Sequence, residues 1–118
     1  MRFKYNGKTY RIWFSHHNKP GHVRRTECSI MEETGPNELT ELVSDDAFCS
    51  DGDKKRGIPA DPYNKAVGRH LSLTRALRRL TSDRSFRHTA WMAYLNRGKE
   101  PAEQHKLQLI VTGEGRIQ

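Results

Sequence analysis

The Asn6-Gly7 pair lies between two segments in which aromatic and polar residues alternate. A type I′ turn needs two residues with positive φ, so Asn-Gly between alternating segments is the strongest short-range signal for a β-hairpin. The sequence therefore predicts strands near residues 2–6 and 9–16. A turn rich in Asn, Pro and Gly then leads to a third alternating segment at 22–31, which completes an antiparallel meander.

Two helices are predicted in the second half of the chain. Valine and leucine recur at helical spacing over residues 64–80, with an apolar face that includes Val67 and Leu71. A second helix fits residues 83–97, because Ser82 or Asp83 can cap it and glycine and proline follow it. Residues 106–112 are typical of a final short strand.

The hydrophobic pattern is poor over residues 32–59, which contain Gly-Pro and Asp-Gly pairs. Such pairs interrupt regular structure, so we expect a loop-rich segment with a short strand or a helical turn at 39–43. The predicted class is α+β, with an N-terminal antiparallel sheet followed by two helices and the final strand. We expect one domain over 1–118, with the sheet and an acidic loop region in 1–60 and the helical part in 61–118.

The composition predicts a thin hydrophobic core. The chain has 118 residues, a net charge of +7 and a mean hydropathy of −0.91. A domain of this size buries only roughly two-thirds of the surface that its unfolded chain exposes, so self-association into a homo-oligomer is expected to help it. No apolar run approaches the roughly 20 residues of a membrane span, and no signal peptide is recognised, which predicts a cytoplasmic protein without membrane contact.

Charge is segregated along the chain. Residues 26–53 contain nine acidic residues and no lysine or arginine, whereas residues 1–25 contain seven basic residues and no acidic one. A protein that follows the phosphates of a long nucleic acid gains from a uniformly basic surface, and the acidic segment would repel that polyanion. The pattern favours a small anion or a protein partner over nucleic acid.

A basic stripe is predicted on the polar side of the first helix. At 100° per residue, Gly68, Ser72, Arg75 and Arg79 fall within roughly 60° of one another. Guanidinium groups offer a planar fork of donors to phosphate, a hydroxyl adds one hydrogen bond, and glycine lets a ligand approach the backbone. The stripe predicts an anion-binding cradle. The alternative is a solvated basic face, since arginine is a good helix former.

An aromatic residue stands in the most polar part of the chain. Phe48 lies between Asp45-Asp46 and Ser50-Asp51, where few neighbours could bury its ring. An exposed ring can stack on a nucleobase. The segment that follows holds Asp61 and Asn64, which can read the amines or hydroxyls of a nucleotide. The alternative is that Phe48 fastens a loop to the sheet.

No metal site, cofactor site or catalytic site is predicted. The spacing of His16, His17, His22 and Cys28 matches no paired zinc pattern, and the Asp51-Gly52-Asp53 run lacks the other ligands of a calcium loop. No cysteine or serine stands in a local signature of a catalytic nucleophile, and no glycine-rich phosphate loop is present in the sequence. We therefore expect a binding protein that is not an enzyme and uses no cofactor.

The segment from Asp61 to Leu77 reads Asp-Pro-Tyr-Asn-Lys-Ala-Val-Gly-Arg-His-Leu-Ser-Leu-Thr-Arg-Ala-Leu. It resembles the Thoeris anti-defence sponges of bacteriophages, which have an N-terminal antiparallel sheet and C-terminal helices and form dimers or larger oligomers. The resemblance covers about 40 residues, from Phe48 to Arg84. Members of that family bind cyclic ADP-ribose isomers, and some bind cyclic oligonucleotides, without hydrolysing them.

The resemblance implies a role for the residues already singled out. Arg75 and Arg79 would take the pyrophosphate, Phe48 would stack on adenine, and Asn64 or Asp61 would read the ligand from the loop. It further implies a phage protein that acts in the cytoplasm of an infected bacterium, sequesters an immune signal and assembles with copies of itself.

Two other hypotheses stay open on the sequence alone. The acidic segment could dock on a basic nuclease surface, as in an anti-CRISPR-type inhibitor of a host protein. Alternatively, arginines along both predicted helices could bind nucleic acid directly. These positions are Arg75, Arg78, Arg79, Arg84 and Arg87.

Overall fold

A computed structural model of the chain describes residues 1–50, 52–60 and 63–97. Four strands form one sheet with the order β1-β2-β3-β4, an antiparallel meander, and two helices follow it. The predicted α+β class with an N-terminal sheet is therefore confirmed. The predicted strand at 106–112 lies outside the described residues. The elements are β1 (Arg2–Tyr5), β2 (Lys8–His17), β3 (Arg25–Gly35), β4 (Glu38–Phe48), a 3₁₀ turn (Lys54–Arg56), α1 (Lys65–Leu80) and α2 (Arg84–Leu95).

The first hairpin forms as the sequence predicts. Asn6 and Gly7 have φ values of 49° and 78°, which are the two positive angles that a type I′ turn requires. The strands pair in antiparallel register, with Phe3 opposite Tyr10 and Tyr5 opposite Lys8. Because side chains alternate across a strand, this register brings the rings of Phe3 and Tyr10 to one face, 5.4 Å apart between centroids.

Residues 32–48 do not form the loop-rich segment that the sequence predicts. They continue β3 to Gly35 and then form the 11-residue strand β4. Pro36 and Asn37 join the two strands, and Asn37 has a φ of 55°. Proline followed by a residue with positive φ is the signature of a type II turn, so the Gly-Pro pair connects two long strands and does not interrupt them.

The chain divides into two compact units. The first comprises residues 1–12 and 31–40 with the described residues from Thr81 on. In it α2 packs on β1. The ring of Phe86, on α2, makes edge-to-face contacts with Phe3, Tyr5 and Tyr10 at centroid distances of 5.5, 5.3 and 5.0 Å. Asp83 caps α2 by accepting from the backbone N–H groups of Ser85 and Phe86, as the sequence predicts.

The second unit comprises residues 13–30 and 41–80. Its buried side chains include Thr26, Cys28 and Ile30 on β3, Val43 and Ala47 on β4, and Ser72, Leu73, Ala76 and Leu77 on α1. The buried face of α1 is therefore rotated from the predicted one, because Val67 and Leu71 are 52% and 40% exposed. Neither described helix is long and apolar enough to cross a membrane.

Candidate functional site

The N-terminus of α1 forms one end of the candidate site. The Asn64 side-chain oxygen accepts a hydrogen bond from the Val67 N–H at 3.1 Å, which caps the helix. The first turn contains no acidic residue. The N-terminus of this 16-residue helix carries a partial positive charge, and no carboxylate of its first turn neutralises it. A negatively charged group placed there would be stabilised.

A groove of about 320 Å³ opens beside this helix end. One wall is the end of β4 with the residue that follows it, and the other is the first two turns of α1; Thr26 and Tyr63 complete the lining. The β4 wall consists of Ala47, Phe48 and Cys49, and the α1 wall consists of Asn64, Val67, Gly68 and Leu71. The volume and the mostly apolar lining fit the range of small-molecule sites.

Phe48 ends β4 and presents its ring at this groove. The residue is 61% exposed, the highest value among the large hydrophobic residues of the described part. The alternative interpretation, in which this ring fastens a loop to the sheet, is therefore wrong. Val67 and Leu71, which the sequence assigned to the helix core, line the same groove and give it an apolar wall.

Gly68 serves the packing of α1 on the sheet. A Cβ atom at this position would overlap the hydroxyl group of Thr26 on β3, so only glycine permits this approach. Ser72 lies one turn further along, has no exposed surface, and its hydroxyl donates to the carbonyl oxygen of Arg69 at 3.3 Å. The glycine and serine of the predicted stripe thus face the interior of the second unit, and the hydroxyl of Ser72 is not available at the surface.

Arg75 and Arg79 bind the backbone of β4. Arg75 Nη1 donates to the carbonyl oxygen of Asp46 at 2.8 Å, and Arg79 Nη1 donates to the carbonyl oxygen of Ser44 at 2.9 Å. Arg79 also lies 3.7 Å from a carboxylate oxygen of Asp45. Neither arginine is among the residues that line the groove. The predicted stripe is therefore divided: Gly68 borders the groove, and the guanidinium groups are engaged by β4.

Several carboxylates of the acidic segment have basic partners in their own unit. In the second unit Arg25 lies 2.7 Å from Asp46 and 3.9 Å from Glu27. In the first, Glu33 receives hydrogen bonds from Arg2 and Arg11 at 2.7 and 2.9 Å. Two of the four carboxylates on β4, Asp46 and Asp45, thus lie beside arginines from β3 and α1.

A hydrogen-bonded trio borders the groove. The Nδ1 atom of His16 lies 3.1 Å from the Thr26 hydroxyl and 3.2 Å from the Tyr63 hydroxyl. Burial lowers the pKa of His16, and the positive charges of Arg69, Lys65 and His17 lower it further. The imidazole is therefore neutral at pH 7, and its surroundings carry positive potential.

Comparisons with protein families, with curated proteins and with solved structures found no match to this chain.

Three of the predicted ligand-binding residues meet in the groove: Phe48, Asn64 and Gly68. Asp61 lies outside the described residues. Sequence reasoning missed Thr26, Cys49 and the groove-facing role of Val67 and Leu71. The available signal was an apolar pair four residues apart near the start of a helix, which the periodicity assigned to the core. Within the described residues, no cluster of three or more His, Cys, Asp or Glu side chains could hold a metal ion.

Proposed function

We propose that this protein binds and sequesters a cyclic nucleotide immune signal without cleaving it. The ligand class is a cyclic ADP-ribose isomer or a cyclic oligonucleotide, and the binding site is the groove between the end of β4 and the first turns of α1. The setting, an infected bacterium in which a phage protein removes a host signal, rests on the resemblance of the segment Asp61 to Leu77 to the Thoeris anti-defence sponges.

One observation carries the proposal. Phe48 and Asn64 are predicted ligand-binding residues from separate parts of the sequence, and both line one groove with an apolar wall. An exposed ring beside that wall suits a nucleobase, since stacking on an aromatic side chain is worth roughly 1–3 kcal/mol per base. The capped N-terminus of α1 at the same groove adds a favourable site for a negatively charged group.

The described contacts argue against the two other hypotheses. An inhibitor that docks through the acidic segment needs carboxylates that are free to meet a basic partner. Three of the nine, Glu33, Asp45 and Asp46, already have arginine partners, which leaves fewer, such as the exposed Glu41, for docking. A nucleic-acid binder that uses the α1 arginines needs guanidinium groups facing phosphate, whereas Arg75 and Arg79 donate to the backbone of β4.

The proposal is tested by binding and by recovery of the ligand. The purified chain is titrated calorimetrically with cyclic ADP-ribose isomers and with cyclic oligonucleotides. The complex is then heat-denatured, and the mass of the released molecule is measured by mass spectrometry. We expect saturable binding of one of these ligands and release of an intact molecule. Failure of every ligand to bind, or release of a hydrolysed product, would contradict the proposal.

Three variants locate the site. Phe48→Ala should weaken binding roughly 10-fold or more, because it removes the stacking surface. Phe48→Tyr keeps an aromatic face and should bind as the parent does. Trp13→Ala is the matched control, since Trp13 is another exposed aromatic residue, 48% exposed, that does not line the groove. Equal affinity of Phe48→Ala and the parent would exclude this groove as the base site.

A further inference from the structure

A second cavity, of about 510 Å³, lies at the end of β2 and is built from basic residues. His16 and His17 line it from the strand, and Lys19, His22 and Arg25 line it from the turn and the start of β3. Among the residues that the structure describes, no aspartate or glutamate lines it. A depression with this set of donors suits an anion with several oxygen atoms.

A tight turn positions two of these side chains. The backbone N–H of His22 donates to the carbonyl oxygen of Lys19 at 3.1 Å, and Gly21 has a φ of 79°. Proline at the second position and glycine with positive φ at the third are the signature of a type II turn. The first and fourth residues of such a turn lie close together, so the backbone brings Lys19 and His22, which both line the cavity, near each other.

The basic side chains at the cavity differ in whether they already form an ion pair. The guanidinium group of Arg25 is already paired with Asp46 at 2.7 Å. Among the described residues, Lys19 makes no ion pair, so its ammonium group can meet a ligand. The imidazoles of His17 and His22 can each donate one N–H when neutral and two when protonated.

This cavity adjoins the groove at the His16 trio. His16 lines the cavity, and the two hydroxyl groups within 3.2 Å of its Nδ1 atom belong to Thr26 and Tyr63, which line the groove. The two sites thus share one hydrogen-bonded boundary in the second unit. A ligand with a base at one end and phosphates at the other could occupy both.

We propose that the cavity around Lys19, His17 and His22 is a subsite for the diphosphate of a bound cyclic ADP-ribose isomer, which of the two proposed ligand classes is the one that carries a diphosphate. Lys19 and the imidazole N–H groups donate charge-assisted hydrogen bonds to the phosphate oxygens. The identity of the ligand rests on the proposed function, whereas the anion-binding property of the cavity does not. This assignment is an alternative to Arg75 and Arg79 as the main phosphate ligands, since each of those exposed side chains already donates one hydrogen bond to β4.

The test uses inorganic pyrophosphate as the probe and the full chain as the receptor. Pyrophosphate is titrated calorimetrically at low salt, and the histidine ring resonances are followed by NMR. We expect saturable binding, with shifts of His17 and His22. Lys19→Ala combined with His22→Ala should weaken it at least 10-fold. Lys4→Ala, which removes an exposed lysine on β1, should leave it unchanged.

A third variant tests the turn without removing a charge. Gly21→Ala strains a position with φ of 79° where the added methyl group would meet no neighbouring atom, so any effect comes from the backbone. We expect pyrophosphate affinity to fall at a temperature where the variant is still folded. Equal pyrophosphate binding by the parent and the Lys19/His22 double variant would overturn the proposal, as would absence of binding at millimolar pyrophosphate.

Two further probes separate this proposal from the proposed function. Adenosine has no phosphate, so its binding should depend on Phe48 but not on Lys19 or His22. The binding of pyrophosphate should depend on Lys19 and His22 but not on Phe48. If pyrophosphate binds at Lys19 and His22 and neither adenosine nor any of the cyclic nucleotides binds, the anion subsite stands and the nucleotide function fails. If adenosine binds through Phe48 and pyrophosphate does not bind, the base site stands and the diphosphate subsite is wrong.

Discussion

Gly68 of α1 lies so close to Thr26 of β3 that a methyl group on its Cα would overlap the threonine hydroxyl. Thr26 is itself buried and lies 3.1 Å from the Nδ1 atom of His16. This contact brings α1 close to β3 beside the His16 trio, at the groove that Gly68 and Thr26 both line.

Gly68→Ala should destabilise the protein. In an exposed helix the same change would stabilise by about 1 kcal/mol, because alanine is the better helix former. Here the added methyl group must displace a buried side chain, and overpacking of this kind typically costs about 1–3 kcal/mol. The sign of the change in the free energy of unfolding, measured by urea denaturation, separates the two outcomes.

Thr26→Ala provides the control for that experiment. It removes the hydroxyl that the new methyl group would meet, although the Thr26 Cβ atom would still be close. The double variant should therefore be destabilised by less than the sum of the two single changes. Strict additivity would show that the cost of Gly68→Ala arises elsewhere.

The first hairpin and both helices could be predicted because their signals are local. Asn6-Gly7 supplies its own positive φ angles, and Asp83 supplies its own cap. Strand β4 could not be predicted in this way. Its charged residues Asp45 and Asp46 are accommodated by Arg79 and Arg25, which are distant in sequence, so the strand shows no clear alternation of apolar and polar residues.

The sequence predicts only part of the groove, because some of its signals are local and others depend on how α1 packs. Phe48 was recognisable because an aromatic residue in a polar segment lacks local partners. The orientation of α1 was not recognisable, since the buried face includes Ser72 and Ala76 while Leu71 stays exposed. Small residues let the helix approach the sheet, and a count of large apolar residues cannot detect that preference.

Acid should remove a specific part of the stability of the first unit. The hydrogen bonds from Arg2 and Arg11 lower the pKa of Glu33 to about 2. A lowered pKa in the folded state stabilises the fold above the unfolded value near 4.5, and this contribution is lost as pH falls toward about 2. Glu33→Gln should therefore lower the melting temperature at pH 7, and the difference from the parent should shrink between about pH 4.5 and 2.

Glu41→Gln is the matched control for Glu33. Glu41 is an exposed glutamate on β4, so its substitution removes the same charge without a pair of arginine hydrogen bonds. The melting temperature of the Glu41→Gln variant should follow that of the parent across the same pH range. A parallel loss in both variants would mean that net charge, rather than the arginine contacts, controls the effect.

The cap of α2 combines a backbone role and a side-chain role. Asp83 accepts from the N–H groups of Ser85 and Phe86, and its other oxygen accepts from the Tyr5 hydroxyl at 2.7 Å. The Tyr5 hydrogen bond is the main cause of its lowered pKa. Asp83→Ala should thus lower the melting temperature more than Tyr5→Phe does, because only the first change leaves helix N–H groups without their cap.

Asp83→Asn isolates the charge from the cap. Asparagine can still accept from the helix, so this variant should be less destabilised than Asp83→Ala at pH 7. Because the folded pKa of Asp83 is lowered, its charge stabilises the fold above the unfolded value near 3.9 and ceases to do so as pH falls through the folded value. The parent and Asp83→Asn should therefore converge in acid.

The two thiols should differ strongly in reactivity. Cys28 has no exposed surface, and burial together with the charges of Asp45 and Glu27 raises its pKa to about 12. Cys49 is partly exposed and lines the groove. Because the thiolate is the reactive form, iodoacetamide should label Cys49 in the native protein and reach Cys28 only after unfolding.

Labelling of Cys49 also reports on the groove. Intact-mass measurement should show one modification in the native parent and none in Cys49→Ser. A saturating groove ligand should slow the labelling, whereas pyrophosphate alone, held in the neighbouring cavity, should slow it much less. Equal protection by both probes would argue that a single site binds them.

The roles of Arg75 and Arg79 can be separated by measuring stability and affinity on the same variants. Each donates to a carbonyl oxygen of β4, and each such hydrogen bond contributes about 0.5–1.5 kcal/mol. Replacing both with alanine should therefore lower the free energy of unfolding by about 1–3 kcal/mol. Because neither side chain lines the groove, affinity for the nucleotide should change by less than about 3-fold, or about 0.7 kcal/mol.

Arg78→Ala is the control, since it removes an exposed arginine from the same helix and has no hydrogen bond to β4 among the described contacts. It should leave both stability and affinity close to those of the parent. A 10-fold loss of nucleotide affinity in the Arg75/Arg79 double variant, at a temperature where that variant is fully folded, would restore the sequence-based assignment of these two residues to the phosphates. Retained affinity would instead favour Lys19 and His22 as the groups that bind them.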